Sequence, residues 1–201
     1  MSATPSTMLP LGTSLPSFQL LEPLPGKARH PGEFRESPLL LVAFICNHCP
    51  YVVHLKEALV QFARDYQMSL QIIAISSNST ETHPRDGPEH MAEDARQFAY
   101  PFPYLYDASQ EVAKAFRAAC TPDFFLFDSH RKLVYRGQFD NTRPSHRTAP
   151  DSPDKGASPH GADLRHAVEA ALAGKPVPPE AQKPSLGCNI KWHPGNEPEY
   201  A

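Results

Sequence analysis

The stretch Leu39-Leu40-Leu41-Val42-Ala43-Phe44-Ile45-Cys46-Asn47-His48-Cys49-Pro50 decides how this chain is read. Seven consecutive apolar residues, bounded by Pro38, describe a strand buried on both faces, as at the centre of a covered sheet. Beyond them Leu55, Leu59, Phe62 and Tyr66 recur at spacings of four, three and four, the period of an amphipathic helix. Pro50 suits the first turn of that helix, where its missing N–H costs nothing. Two cysteines three residues apart therefore fall where a buried strand gives way to a helix, and the spacing predicts both in or near the first turn. Unpaired N–H groups and the helix macrodipole stabilise a thiolate there, below the free thiol value of about 8.5. One thiolate can attack a disulfide, and the second can resolve the mixed disulfide. A protonated His48 between them would stabilise a neighbouring thiolate further.

Outward from this point, residues 70–75 read as a second buried strand. Asp86 and Glu89 have capping-box spacing ahead of a helix through Met91, Ala95 and Phe98. Residues 104–106 form a short strand, and Asp107 with Gln110 opens a helix through Val112, Ala113 and Phe116. Residues 124–127 and 133–135 read as a hairpin, and residues 164–172 as a last helix stopped by Gly174 and Pro176. On the N-terminal side, residues 18–21 are a candidate edge strand closed by Pro23, Pro25 and Gly26. Alternation followed by a hairpin implies a single α/β domain, a mixed sheet with helices on both faces. Its expected extent is residues 17–174, with residues 1–16 a loose arm, 141–159 a proline-rich surface loop, and 175–201 a proline-rich tail packed on the domain.

Composition narrows the function classes. Of 201 residues, 19 are Lys or Arg and 22 Asp or Glu, a net charge of −3. That balance offers no clustered cations for a nucleic-acid partner. No apolar run reaches the 18 residues of a membrane span. The 23 prolines and 10 glycines stay below the roughly 25–30% of disordered chains. Cys46, Cys49, Cys120 and Cys188 are too few for a disulfide scaffold. Residues 1–16 lack a signal-peptide pattern, so the expectation is cytoplasmic, where a close cysteine pair reads as reactive or metal-binding.

Four segments carry a resemblance: Cys-Asn-His-Cys-Pro-Tyr-Val from Cys46, Cys-Thr-Pro-Asp-Phe-Phe-Leu-Phe-Asp from Cys120, Val-Tyr-Arg-Gly-Gln from Val134, and Gly-Cys-Asn-Ile-Lys-Trp from Gly187. With them the chain resembles the thioredoxin-like superfamily over roughly residues 15–175. Within it, the helix inserted between residues 76 and 100 is similar to the peroxiredoxin-related, redoxin branch. The four segments together resemble a group of largely uncharacterised bacterial thioredoxin-like proteins.

The resemblance implies a thioredoxin-like fold and thiol–disulfide exchange, with Cys46 attacking and Cys49 resolving. Asn47 and His48 support them, and Pro122 faces the disulfide after a cis Thr121–Pro122 bond. No cofactor or metal is implied; the partners are protein or small-molecule thiols and disulfides, and an electron donor. The peroxidase alternative makes Cys49, followed by Pro50, the peroxide-attacking residue. In that pattern Cys46 replaces a threonine, Val42 a proline and Pro122 an arginine, leaving little to stabilise charge on the leaving oxygen. A different class is zinc or Cu(I) binding by Cys46, His48 and Cys49 with Cys120 or Cys188.

Cys120, two residues before Pro122, is either a further redox residue or a small buried apolar one. The 14 residues from Gly174 to Cys188 can span about 46 Å, so Cys188 can reach the pair as a third redox residue. Trp192 is expected to anchor the tail by burial. His83, His90, His130, His146 and His160, with Arg143 and Arg147, read as solvated.

Overall fold

The apolar run becomes the strand Leu39–Phe44, every residue of which is buried. The computed structural model describes residues 3–145 and 154–200; His146 and Arg147 lie outside them. Its strands are β1 (Ala3–Pro5), β2 (Leu20–Glu22), β3 (Lys27–Arg29), β4 (Leu39–Phe44), β5 (Leu70–Ser76), β6 (Tyr104–Tyr106), β7 (Cys120–Thr121), β8 (Asp123–Phe127), β9 (Leu133–Gly137) and β10 (Leu186–Asn189). The helices are α1 (Pro50–Asp65), α2 (Pro88–Gln97), α3 (Glu111–Ala115) and α4 (Ala162–Leu172). The main sheet has the order β3-β2-β6-β5-β4-β8-β9, and a small second sheet has the order β1-β10-β7.

β4 is central, parallel to β5 and antiparallel to β8. Its side chains alternate between two cores. Leu39, Leu41 and Ala43 pack with Val52, Leu55, Leu59 and Phe62 of α1 and with Leu164 and Val168 of α4. Leu40, Val42 and Phe44 pack with Val112 and Ala113 of α3 and with Phe116 and Phe125. On that second face Phe44, Phe116 and Phe125 meet edge-on at 5.3–5.8 Å between centroids, the geometry their quadrupoles prefer. Full burial of such Leu and Phe side chains contributes roughly 1.5–3 kcal/mol each. The mixed sheet with helices on both faces is the thioredoxin-like architecture that the sequence implied.

Three local expectations change. The edge strand at 18–21 is a hairpin: β2 pairs with β3 across a turn containing the cis Leu24–Pro25 bond. Lys27-Ala28-Arg29 is an edge strand without an apolar face, so no periodicity betrays it. The N-terminal arm is not loose. β1 pairs with β10, Gly12 N–H donates to the Leu133 carbonyl at 2.8 Å, and Leu15 N–H to the Arg131 carbonyl at 2.9 Å. Pairing with strands far along the chain leaves no mark on a local pattern. Finally, the N-cap of α2 is Gly87 rather than Asp86, whose side chain points elsewhere. The tail wraps the domain, and Trp192 is buried, edge-on to Tyr200 at 6.5 Å.

Candidate active site

Pro50 occupies the first position of α1, and a residue before proline is driven out of the helical region. Cys49 is accordingly the N-cap, extended at φ −61° and ψ 124°. Cys46 lies three residues ahead of that N-cap. The expected sharing of one helical turn by both sulfurs is therefore replaced by a helix end that belongs to Cys49 alone.

All four cysteines are buried free thiols. Cys46 and Cys49 expose 1% and 0% of their surface, and Cys188 7%. The thiols of Cys46 and Cys188 both bear on the Cys49 thiol, which is the middle member of a three-sulfur row. Thr121 spans the row. Its hydroxyl lies 3.4 Å from the Cys46 sulfur, and its carbonyl accepts the Cys49 thiol at 3.2 Å. Its Cα stands opposite that of Cys188 in the β7–β10 ladder. The Thr121–Pro122 bond is cis.

Of the three sulfurs, Cys49 is the one whose pKa is drawn down, although as a thiolate it gives up its bond to the Thr121 carbonyl. Burial opposes its ionisation, but the thiols of Cys188 and Cys46 and the N–H groups of Val52 and Cys188 outweigh it and bring its pKa down. Cys46 moves the other way: the neighbouring Cys49 sulfur, burial and the nearby Asp86 carboxylate push it up. The implied thiolate at Cys46 thus meets an anion that the sequence did not place there.

Asp86 is fully buried and accepts hydrogen bonds from Asn47 N–H at 3.0 Å, Asn78 Nδ2 at 2.7 Å and His48 Nδ1 at 2.9 Å. It fixes the loop between the cysteines from behind. The hydrogen bond to Asp86 raises the His48 pKa, and His48 with Asn78 holds Asp86 low against its burial. A protonated His48 is therefore matched by Asp86, and its positive charge does not act alone on Cys46. His83 is not simply solvated: it stacks on His48 at 5.4 Å, with 9° between the rings. His90, His130 and His160 are exposed as expected.

Lys56 also buttresses the loop. Its buried ammonium donates to the Asn47 carbonyl at 3.0 Å and to Asp94 at 2.6 Å, while Tyr104 donates to Asn47 Oδ1 at 3.0 Å. A lysine four residues after Val52, on the apolar stripe of α1, was the available signal for it. Arg143, expected in solvent, is half-buried and donates to Gln138 Oε1 at 2.6 Å. It lines a cavity of about 20 Å³ with Tyr51, His54, Pro122, Asp140 and Thr142, room for about one water. Cys120 stands apart from the row. Its thiol donates to the Pro122 carbonyl at 3.6 Å, and burial and Asp123 push its pKa up.

Metal binding has one geometric basis among the described residues. Ligand atoms of Cys46, His48 and Asp86 lie within 4.8 Å of one another. However, both Asp86 oxygens and His48 Nδ1 are already committed to hydrogen bonds, and a cation would have to displace them. Asp86 stands where Cys49 was expected, and neither Cys120 nor Cys188 joins the group.

Fold and site together define a thioredoxin-like protein of redox type. The family model for redoxins matches residues 10–151, and the chain belongs to the redoxin family. An uncharacterized conserved protein from Geobacillus kaustophilus is 44% identical, over 97% of this chain and 98% of its own, with a TM-score of 0.87. A hypothetical protein from Sinorhizobium meliloti 1021 is 48% identical, over 96% of this chain and 100% of its own, with a TM-score of 0.86. Peroxidoxin BcpB from Mycobacterium tuberculosis, 16% identical over 81% of this chain and 96% of its own, shares the fold at a TM-score of 0.58. No curated protein matches.

Proposed function

We propose that the protein is a thiol–disulfide oxidoreductase acting through Cys46 and Cys49. The observation that carries this reading is a pair of buried free thiols at the start of α1 that both touch Thr121 beside Pro122, Cys46 at its hydroxyl and Cys49 at its carbonyl. The charge balance favours Cys49, rather than Cys46, as the attacking thiolate. Cys49 attacks one sulfur of a substrate disulfide, and the other leaves as a thiolate. The Cys46 thiol then loses its proton and attacks Cys49, closing Cys46–Cys49 and releasing the second substrate thiol. Two electrons pass to the substrate, and the reverse sequence oxidises a dithiol. Asn47, His48, Thr121 and Pro122 position the pair. The substrates are protein or small-molecule thiols and disulfides, with an external electron donor restoring the dithiol.

The test is equilibration with glutathione buffers of graded ratio, followed by alkylation and peptide mapping. A Cys46–Cys49 disulfide is expected, absent in Cys46→Ser and in Cys49→Ser. A wild-type chain that never closes this bond defeats the reading. A peroxidase role for Cys49 draws support from its N-cap thiolate followed by Pro50. Steady-state hydrogen peroxide consumption at the rate of disulfide exchange would favour that alternative. Stoichiometric zinc or copper in chelator-free protein would favour the metal site.

A further inference from the structure

The C-terminal tail does more than cover the domain. β10 runs antiparallel to β7, the two-residue strand that ends at Thr121, and places Cys188 opposite Thr121. Its approach is close. A Cβ at Gly187 would overlap the Thr121 carbonyl, so only glycine lets the strand lie there. Ser185 Oγ donates to the Pro122 carbonyl at 2.7 Å, and Ser6 N–H donates to the Ser185 carbonyl at 2.9 Å. On the other edge β1 pairs with β10, Ala3 opposite Cys188. The tail strand is thus held from both sides, with its one cysteine against Cys49.

Packing alone does not require a thiol at this place. Cys188 is the most exposed of the three clustered cysteines, and its strand packs both on Thr121, whose carbonyl accepts the Cys49 thiol, and on α1, which Cys49 caps. A resolving thiol must stand beside the attacked sulfur, and Cys49 has such a neighbour on each side.

We propose that Cys188 is a third catalytic thiol, presented to Cys49 by the tail strand, so that the disulfide passes between Cys46–Cys49 and Cys49–Cys188. This rests on the reading of Cys49 as a redox thiol. In the transfer Cys188 loses its proton and its sulfur attacks Cys49. The Cys49–Cys188 bond forms as the Cys46–Cys49 bond breaks, and Cys46 leaves as a thiolate that takes up a proton. No net electrons move, and no further reactant is consumed.

The experiment maps disulfides in the full chain after oxidation by oxidised glutathione and acid quenching. Wild type is expected to give both linkages, and Cys188→Ser only Cys46–Cys49. In Cys46→Ser, glutathione captured on Cys49 should be released at least about ten-fold faster than in the Cys46→Ser/Cys188→Ser double variant, because Cys188 displaces it. The proposal is overturned if wild type yields Cys46–Cys49 with Cys188 fully alkylated, or if the single and double variants release glutathione equally slowly. The wild-type map stands even if a variant fails to fold. The Cys46–Cys49 linkage reports on the proposed function and the Cys49–Cys188 linkage on the tail, so either can fail alone.

Discussion

Two wholly buried carboxylates, Asp86 behind the cysteine loop and Asp123 directly after Pro122, end in opposite states. Asp86 accepts three hydrogen bonds and is held below the usual carboxylate range. Asp123 has no side-chain partner; the nearby N–H groups of Phe124 and Ala119 do not offset its burial, which pushes its pKa up. Burial is common to both. What differs is the supply of donors: Asp86 meets a loop of polar residues and an imidazole, while Asp123 lies at the start of β8, whose other residues are Phe and Leu. Partners, rather than depth, decide where charge survives beside the site.

The largest expected effect comes from Asp123. An acid whose folded pKa is raised stays protonated in the fold while the unfolded chain ionises, so stability is lost as pH climbs past about 4. Asp123→Asn removes that linkage. Its urea-unfolding free energy should gain on wild type by up to about 1.4 kcal/mol per pH unit above about 4, until the wild-type carboxyl ionises. Parallel pH profiles for the two proteins would break the contrast.

Asp86→Asn should do the reverse and less. Losing the carboxylate weakens three hydrogen bonds, a destabilisation of about 1–3 kcal/mol at neutral pH. For an acid with a lowered folded pKa, stability is present above about 4 and disappears as pH falls through the folded value. The variant should therefore converge on wild type in acid. The His48 pKa should also fall, as read by imidazole proton shifts, and the Cys46 thiol should ionise more easily, as read by alkylation rate against pH.

How much of this was legible differs by link. The run 39–45 and the stripe Leu55, Leu59, Phe62 fixed the central strand and its helix, because deep burial leaves a clean period. Pro50 held the signal that Cys49 alone caps the helix, although both cysteines were expected in or near its first turn. Asp86 was misread as a cap because capping spacing says nothing of where a carboxylate turns once a loop of donors packs against it. The β3 edge and the β1–β10–β7 sheet were invisible for a related reason: their partners lie far apart in sequence. Cys188 could be shown to reach the site from its tether length, but its place in the row depends on that pairing.

A smaller effect separates the two histidines of the Asp86 side. His48 has a raised folded pKa, so its pairing with Asp86 stabilises fully below about 6.5 and is lost as pH rises through the folded value. His48→Gln should flatten that limb of the stability profile, and an unchanged limb would show that Asp86 needs no imidazole.

The smallest concerns His83. Burial first, and then the charge on His48, hold its pKa down, so of the two stacked rings His48 takes up a proton first as pH falls. His83→Ala uncovers one face of His48 without touching its bond to Asp86. Stability should stay within about 0.5 kcal/mol of wild type. The His48 pKa should move upward, because water now reaches a ring whose burial opposed its charge. That shift should be smaller than the downward one in Asp86→Asn, since the hydrogen bond to Asp86 is the leading cause of the raised value. Equal shifts would place solvent access on a par with the bonded partner, and the contrast between Asp86 and Asp123 would then need depth as well as donors to explain it.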